Sequence, residues 1–100
     1  MKITFANQQL EDWYTGDYEG RQPFSEAILM AYQNTIRKLT ALPDMAELRK
    51  SKSLNFHPLK RDLAGKFAVR VNMKYRLVFS IDKQTGQAEV LDIEQLTDYH

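Results

Sequence analysis

The chain has 100 residues, a formal net charge of +1 and no cysteine. This length predicts one domain over residues 1–100 with one core, and the missing cysteine excludes disulfides and thiolate metal sites. Because no apolar run reaches signal-peptide or membrane-span length, we expect a soluble, cytoplasmic protein.

The first 16 residues are predicted to form a strand followed by a helix. Ile3 and Phe5 alternate with polar neighbours, which is typical of a short strand over residues 2–6. Asn7 is suited to cap a helix that ends near Gly16.

A loop over residues 17–22 should lead into a longer helix. We expect Pro23 in its first turn, and Pro43 should end it because proline breaks helices. Asp44 and Glu47 have the spacing of a capping box before one or two further turns. The helix has apolar residues at three- and four-residue spacing, which we expect in the core: Ile28, Leu29, Tyr32, Ile36, Leu39 and Leu42.

The C-terminal half is predicted to form strands. Apolar residues recur at every second position over residues 67–71 and 75–81, separated by a tight turn. Residues 82–87 form the next turn and 88–94 a third strand. The predicted fold class is therefore α+β, with a short N-terminal strand and two helices packed on a small, mainly antiparallel twisted sheet.

The turn between the first two of these strands has a consequence for charge. If both strands bury their larger apolar residues, the loop must be of odd length, such as residues 72–74, and Arg70 then lies opposite Arg76. Like charges in this position destabilise a sheet unless an anion or a carboxylate lies between them. A carboxylate from Asp92 or Asp98 is the structural explanation, and a phosphate is the functional one.

The basic residues are concentrated in one part of the chain. Residues 49–76 contain nine Lys and Arg against one Asp, a net +8, whereas residues 1–48 carry −3 and residues 77–100 carry −4. This concentration indicates a local anion site. A solvated face and a nucleic-acid surface are both consistent with it.

Few other residues are typical of a catalytic site. His57 precedes Pro58, and the chain closes on Asp98, Tyr99 and His100. Each of these, taken alone, is more often structural or solvated. The sequence contains no HExxH motif, Gly-rich phosphate loop or nucleophile elbow, so we expect no metal site and no cofactor.

Taken together, the segment FHPLKRDLAGKFAVRVNMKYRLVF and the terminal DYH resemble the HigB toxins of the RelE/ParE superfamily, the toxin halves of bacterial type II toxin–antitoxin pairs. The resemblance covers most of the chain from LEDWYTG onward. Two positions depart from the pattern, because Arg61 stands where glycine is common and Phe67 where tryptophan is common. The final hairpin is also several residues longer than in the shortest members.

The resemblance implies a RelE-like fold and a ribosome-dependent mRNA endoribonuclease that works without a metal. It implies catalytic roles for His57, Arg76, Asp98, Tyr99 and His100. The implied RNA or phosphate contacts come from Lys60 and Arg70, to which the basic stretch adds Arg61, Lys66 and Lys74. The implied partners are a cognate helix-turn-helix antitoxin, messenger RNA and the ribosome with its 16S RNA. Neither a membrane nor direct operator binding is implied, since DNA would be contacted only through the antitoxin.

The chemistry of these residues agrees with RNA cleavage. RNA supplies its own nucleophile in the 2′-hydroxyl, so an enzyme must remove one proton, donate another and neutralise phosphoryl charge. Two histidines suit the proton transfers, Asp98 is suited to orient an imidazole, and Arg70 and Arg76 are suited to hold a phosphate with forked donors. Which histidine is the acid and which the base stays open.

Two other functions would use the same fold. One is a toxin that acts on DNA gyrase, as ParE toxins do, and the other is a co-repressor that acts with its antitoxin. ParE toxins lack the histidine and terminal DYH set, so its presence here favours RNA cleavage.

Overall fold

The computed structural model describes residues 1–82 and 89–98 and confirms the α+β prediction. The predicted turn at 82–87 falls almost entirely outside these ranges, as do Tyr99 and His100. The regular elements, in chain order, are β1 (Lys2–Phe5), α1 (Gln8–Thr15), α2 (Glu26–Ala41), α3 (Met45–Lys50), β2 (His57–Pro58), β3 (Phe67–Arg70), β4 (Tyr75–Asp82) and β5 (Val90–Asp98). A 3-10 turn at Arg61–Leu63 separates β2 from β3.

Side-chain caps define where the helices begin. Asn7 Oδ1 accepts a hydrogen bond from the Leu10 amide at 3.0 Å, and α1 ends at Gly16, whose φ of 83° is the left-handed conformation that glycine adopts readily. The prediction that Pro23 lies in the first turn of α2 is wrong. The helix begins after Ser25, because the serine hydroxyl accepts a hydrogen bond from the Ile28 amide, which has no partner within the helix. The side chain of proline has no such acceptor.

The end of α2 and the start of α3 follow the predicted pattern. Leu42 is extended, with ψ of 137°, because proline at the next position disfavours the helical conformation. Asp44 then caps α3, and its carboxylate accepts from the Glu47 amide at 3.0 Å. The predicted further helical turns are therefore confirmed.

The five strands form one sheet in the order β1-β5-β4-β3-β2. The pair β1 and β5 is parallel and the other pairs are antiparallel. The predicted third strand, 88–94, is too short, because β5 continues to Asp98. Val78 pairs with Gln95 and Phe79 pairs with Ile93, so Glu94 is the extra residue of a β-bulge in β5. This bulge interrupts the alternation of buried and exposed side chains from which a strand is predicted.

One face of the sheet packs against the helices and forms the core. The predicted stripe of α2 lies there: Leu29, Tyr32, Ile36 and Leu39 are buried, and Ile28 and Leu42 are partly buried at its margin. Among the described residues no helix is long and apolar enough to cross a membrane.

Tyr32 brings a polar atom into this core. Its hydroxyl donates to the carbonyl oxygen of Leu10 at 2.7 Å, and burial raises the pKa of Tyr32 well above its usual range. Tyr32 thus joins α2 to α1 by a hydrogen bond that water does not reach.

We expect Tyr32→Phe to lower the free energy of unfolding by about 1 kcal/mol, because the Leu10 carbonyl loses a buried donor. Urea denaturation measures this. Tyr14→Phe is the matched control, since Tyr14 stacks on Phe5 and its hydroxyl has no hydrogen bond within the described residues. Equal losses in both variants would contradict the assignment.

Candidate functional site

The face of the sheet turned away from the helices, here called the outer face, carries most of the residues of interest. Residues 69, 77 and 79 belong to the core cluster, so their neighbours along each strand lie on the outer face. The strand register aligns these neighbours in two adjacent rows. One row contains His57, Ala68, Val78 and Gln95, and the other contains Arg70, Arg76 and Thr97.

The predicted arginine pair is confirmed, because Arg70 lies directly opposite Arg76. The connecting loop keeps the predicted parity, with the Val71 amide donating to the Tyr75 carbonyl at 2.9 Å. Asn72 holds the loop rigidly, since its Oδ1 accepts from the amides of residues 74 and 75 at 2.8 Å each. Turn length therefore determines that two guanidinium groups share one row.

The two predicted structural carboxylates are not between these arginines. Asp92 accepts a hydrogen bond from Thr4 Oγ1 at 2.7 Å, which directs it toward β1. Asp98 lies opposite Tyr75, one position beyond the arginine row. The ion pairs formed within residues 1–82 and 89–98 include neither arginine.

Arg76 also has an unmet hydrogen-bonding requirement. Its Nε is buried and has no partner among the described residues. A buried donor without a partner normally costs about 1–3 kcal/mol, more when charged. Together with the adjacent Arg70 charge, this donor gives the arginine row the character of an anion receptor.

His57 lies on the outer face next to this row. It pairs with Ala68, which places it diagonally across from Arg70, at the roughly 7–8 Å separation of diagonal neighbours in a sheet. Its Nδ1 is 2.8 Å from the carbonyl oxygen of Asn55. The two-residue strand that places it was not predicted, because the pairing of β2 with β3 has no signal in so short a segment.

An aromatic stack anchors the His57 segment from the core side. Phe56 stacks on Phe67 with 5.4 Å between ring centroids and an interplanar angle of 14°, and Phe79 lies 6.1 Å from Phe56. The Arg49 guanidinium covers the Phe56 ring at 6.0 Å. Phe67 is therefore held by ring stacking on the core side of the sheet.

The two basic residues after Pro58 are exposed. Lys60 immediately precedes the 3-10 turn, and Arg61 opens it with a φ of 59°. A left-handed residue with a side chain costs about 1–2 kcal/mol relative to the right-handed conformation, and glycine avoids this cost.

Lys66 is held by a carboxylate that the sequence did not reveal. Its Nζ lies 2.7 Å from Glu94 Oε2, and the Glu94 side chain is 19% exposed. Burial raises the pKa of Glu94, but hydrogen bonds from Lys66 and Ser80 and the Lys66 charge outweigh it, so the pKa is lowered. Glu94 lies at the bulge of β5. Lys74, by contrast, is exposed at the hairpin tip.

We expect Lys66→Met to lower the free energy of unfolding at pH 7 by about 1 kcal/mol. A carboxylate with a lowered folded-state pKa stabilises the fold above its unfolded pKa, near 4.3, and the contribution disappears as pH falls through the folded value. The difference between wild type and variant should therefore shrink below about pH 4. Urea denaturation at pH 7 and pH 3 measures it, and an unchanged difference would contradict the prediction.

Lys50→Met is the control for that experiment. It breaks the pair with Glu47, whose side chains are 72% and 46% exposed, so the expected loss is a few tenths of a kcal/mol.

The opposite end of the outer face is acidic. An open groove of about 450 Å³ is lined there by Lys2, Thr4, Ser80, Asp82, Val90 and Asp92. Within residues 1–82 and 89–98 no three histidine or carboxylate side chains are placed to share a metal ion. The outer face therefore carries arginines at one end and aspartates at the other, and a polyanion is expected to bind at the arginine end.

The last strand, β5, runs antiparallel beside β4, the second strand of the hairpin. It carries Thr97 into the arginine row and ends at Asp98. Alternation assigns the Asp98 side chain to the helix-facing side of the sheet, with Tyr75, so Asp98 does not share the outer face with Arg70 and Arg76. Tyr99 and His100 lie outside the described residues, so their proposed catalytic roles stay predictions.

No protein-family model matches the sequence, and no curated protein is significantly similar to it. Solved structures do match. A YoeB/ParE toxin from Agrobacterium tumefaciens is 17% identical with a TM-score of 0.61, and the match covers 100% of both chains. The Staphylococcus aureus YoeB-YefM complex matches at 19% identity and 0.58, over 100% of this chain and 97% of the other.

YafQ from Escherichia coli strain BL21(DE3) matches at 15% identity with a TM-score of 0.52, over 97% of this chain and 91% of the other. At these identities the likeness concerns the fold, and it does not distinguish the HigB toxins from other branches. The element order, the five-stranded sheet and these neighbours together establish that the chain has the RelE/YoeB toxin fold.

Proposed function

We propose that this protein is the toxin of a type II toxin–antitoxin pair, similar to the HigB toxins, and that it cleaves messenger RNA on the ribosome in the bacterial cytoplasm. The observation that carries the proposal is the arginine row of the outer face. Arg70 and Arg76 lie side by side without a described carboxylate partner, the buried Arg76 Nε lacks an acceptor among the described residues, and His57 is the diagonal neighbour of Arg70.

A bound RNA phosphate would satisfy this arrangement. Its oxygens accept from the arginine donors and relieve the repulsion between the two guanidinium groups. The same contacts neutralise charge that grows on the phosphoryl oxygens in the transition state. The arginines therefore have a role in both binding and rate.

The cleavage step requires no nucleophile from the protein. The 2′-oxygen attacks phosphorus as its proton is removed, the bond from phosphorus to the 5′-oxygen breaks, and that oxygen takes up a proton. The products are a 2′,3′-cyclic phosphate and a free 5′-hydroxyl. His57 is one proton carrier in this scheme. Asp98, Tyr99 and His100 are proposed to complete the set from the end of β5, with no metal or cofactor.

The remaining basic residues are proposed to contact RNA outside the scissile linkage. Lys60, Arg61 and Lys74 are exposed around the outer face, whereas Lys66 is paired with Glu94. A small surface of this kind binds phosphates and reads few base edges, so the ribosome would position the substrate. Association should weaken as salt rises.

The proposed protein partners are a cognate helix-turn-helix antitoxin and the ribosome, with 16S RNA as a contact. Support for the antitoxin comes from the structural neighbours, since the S. aureus YoeB toxin was solved in complex with YefM as a heterotetramer. Operator DNA would be contacted only through the antitoxin.

Purified protein added to translating ribosomes tests the function. We expect cuts in the message at the ribosomal A site, mapped by primer extension, and far fewer cuts in the same RNA without ribosomes. End-group analysis should find cyclic phosphate. An intact message on ribosomes would reject nuclease activity and favour a gyrase-directed toxin or a co-repressor.

A further inference from the structure

The hydrogen bond at His57 determines which ring nitrogen carries the proton. Nδ1 lies 2.8 Å from the carbonyl oxygen of Asn55. A carbonyl oxygen can only accept a hydrogen bond, so Nδ1 must be the donor. In the neutral ring Nε2 then carries the lone pair, and it has no hydrogen bond within the described residues.

The backbone at Asn55 is unusual for a residue with a side chain. Its φ is 47°, in the left-handed region, which asparagine enters more easily than other residues because of its short polar side chain. This conformation turns the peptide so that the carbonyl oxygen meets a ring two residues later.

Both flanks hold this turn in place. On one side Leu54 is 3% exposed and its carbonyl accepts from the Arg70 amide at 2.6 Å. On the other side Phe56 is stacked on Phe67. The Asn55 amide donates to the Lys52 carbonyl at 3.3 Å, which closes the turn. The carbonyl that faces His57 is therefore fixed relative to the strand that carries Arg70.

We propose that Asn55 is a positioning residue: its left-handed backbone fixes His57 in the Nδ1–H tautomer and leaves Nε2 as the atom that accepts the proton of the attacking 2′-hydroxyl. The catalytic part of this statement rests on the proposed function, while the tautomer stands on the geometry alone. It assigns His57 as the base, and the proton for the departing 5′-oxygen then comes from another group.

Nitrogen NMR of the intact protein tests the tautomer directly. The chain has two histidines, so His100→Gln in ¹⁵N-histidine-labelled protein leaves the His57 ring alone in the spectrum. In the neutral ring the two nitrogen shifts identify which atom is protonated. We expect Nδ1–H in the wild-type segment, whereas an exposed ring in water favours Nε2–H.

Two substitutions at Asn55 form a matched pair. Asn55→Gly keeps access to positive φ and should keep the Nδ1–H tautomer. Asn55→Val disfavours positive φ because of its branched side chain, and should shift the ring toward Nε2–H. On ribosomes the valine variant should lose about tenfold or more in kcat, with KM nearly unchanged, and the glycine variant should lose little.

A ring that is mainly Nε2–H without any substitution at Asn55 overturns the proposal, whether or not the valine variant folds. So does a folded Asn55→Val protein that keeps Nδ1–H. If the tautomer is as stated but the message stays intact, the positioning by Asn55 stands and the nuclease function fails. If cleavage occurs with the opposite tautomer, the function stands and this inference fails.

Discussion

Arg76→Ala should reduce the rate of message cleavage on ribosomes by a hundredfold or more, the usual effect of removing one donor to transition-state charge. Arg76 has the buried Nε without a described partner and faces Arg70 across the hairpin. Single-turnover cleavage at saturating protein measures the effect without a contribution from binding.

The same substitution should not destabilise the protein. Removing one of two like charges that face each other relieves repulsion of roughly 0.2–1 kcal/mol, so the free energy of unfolding should stay equal or rise. A loss of more than 2 kcal/mol would show that Arg76 is structural and that its charge is already compensated.

Two controls accompany Arg76→Ala. Arg37→Ala removes an exposed arginine of α2 whose side chain donates a hydrogen bond to Asn34, and should leave cleavage unchanged. Arg76→Lys keeps the charge and removes the forked donors, so an intermediate rate is expected. A lysine variant as fast as wild type would mean that charge alone is sufficient.

His57→Gln should reduce cleavage by about a hundredfold or more, because glutamine retains polarity but transfers no proton near neutral pH. Binding to ribosomes should remain within a few fold of wild type, since the arginine row is intact. Primer extension gives the rate, and ribosome co-sedimentation gives the binding.

Lys52→Gln is the control from the same segment. Lys52 is exposed, and its substitution removes a charge without touching the ring of His57. Normal cleavage by His57→Gln would reduce His57 to a structural residue. Growth inhibition that persists in this variant would favour the gyrase-directed alternative.

Local features of the sequence were enough for the helices and for the arginine pair. The side chains of Asn7 and Asp44 each accept a hydrogen bond from the amide three residues later in the chain. The facing of Arg70 and Arg76 follows from loop parity and from which residues are apolar. These features depend on neighbours in the chain, so spacing alone predicts them. Pro23 was misplaced because Ser25, two residues later, is the better cap.

Other parts of the site required the tertiary structure. The Lys66 and Glu94 pair joins residues 28 positions apart, at the bulge of β5. His57 reaches the outer face through a two-residue strand, and its ring proton depends on the backbone of Asn55. Neither the Lys66–Glu94 pair nor the placement of His57 is indicated by a periodic pattern in the sequence.

The sequence by itself determined which chemical groups the protein has and which local elements carry them, because caps, turns and periodicity act over a few residues. Only the tertiary structure decided which of these groups meet. Strand register, the bulge and a left-handed residue set the distances across the outer face, and each results from packing between segments that are far apart in the chain.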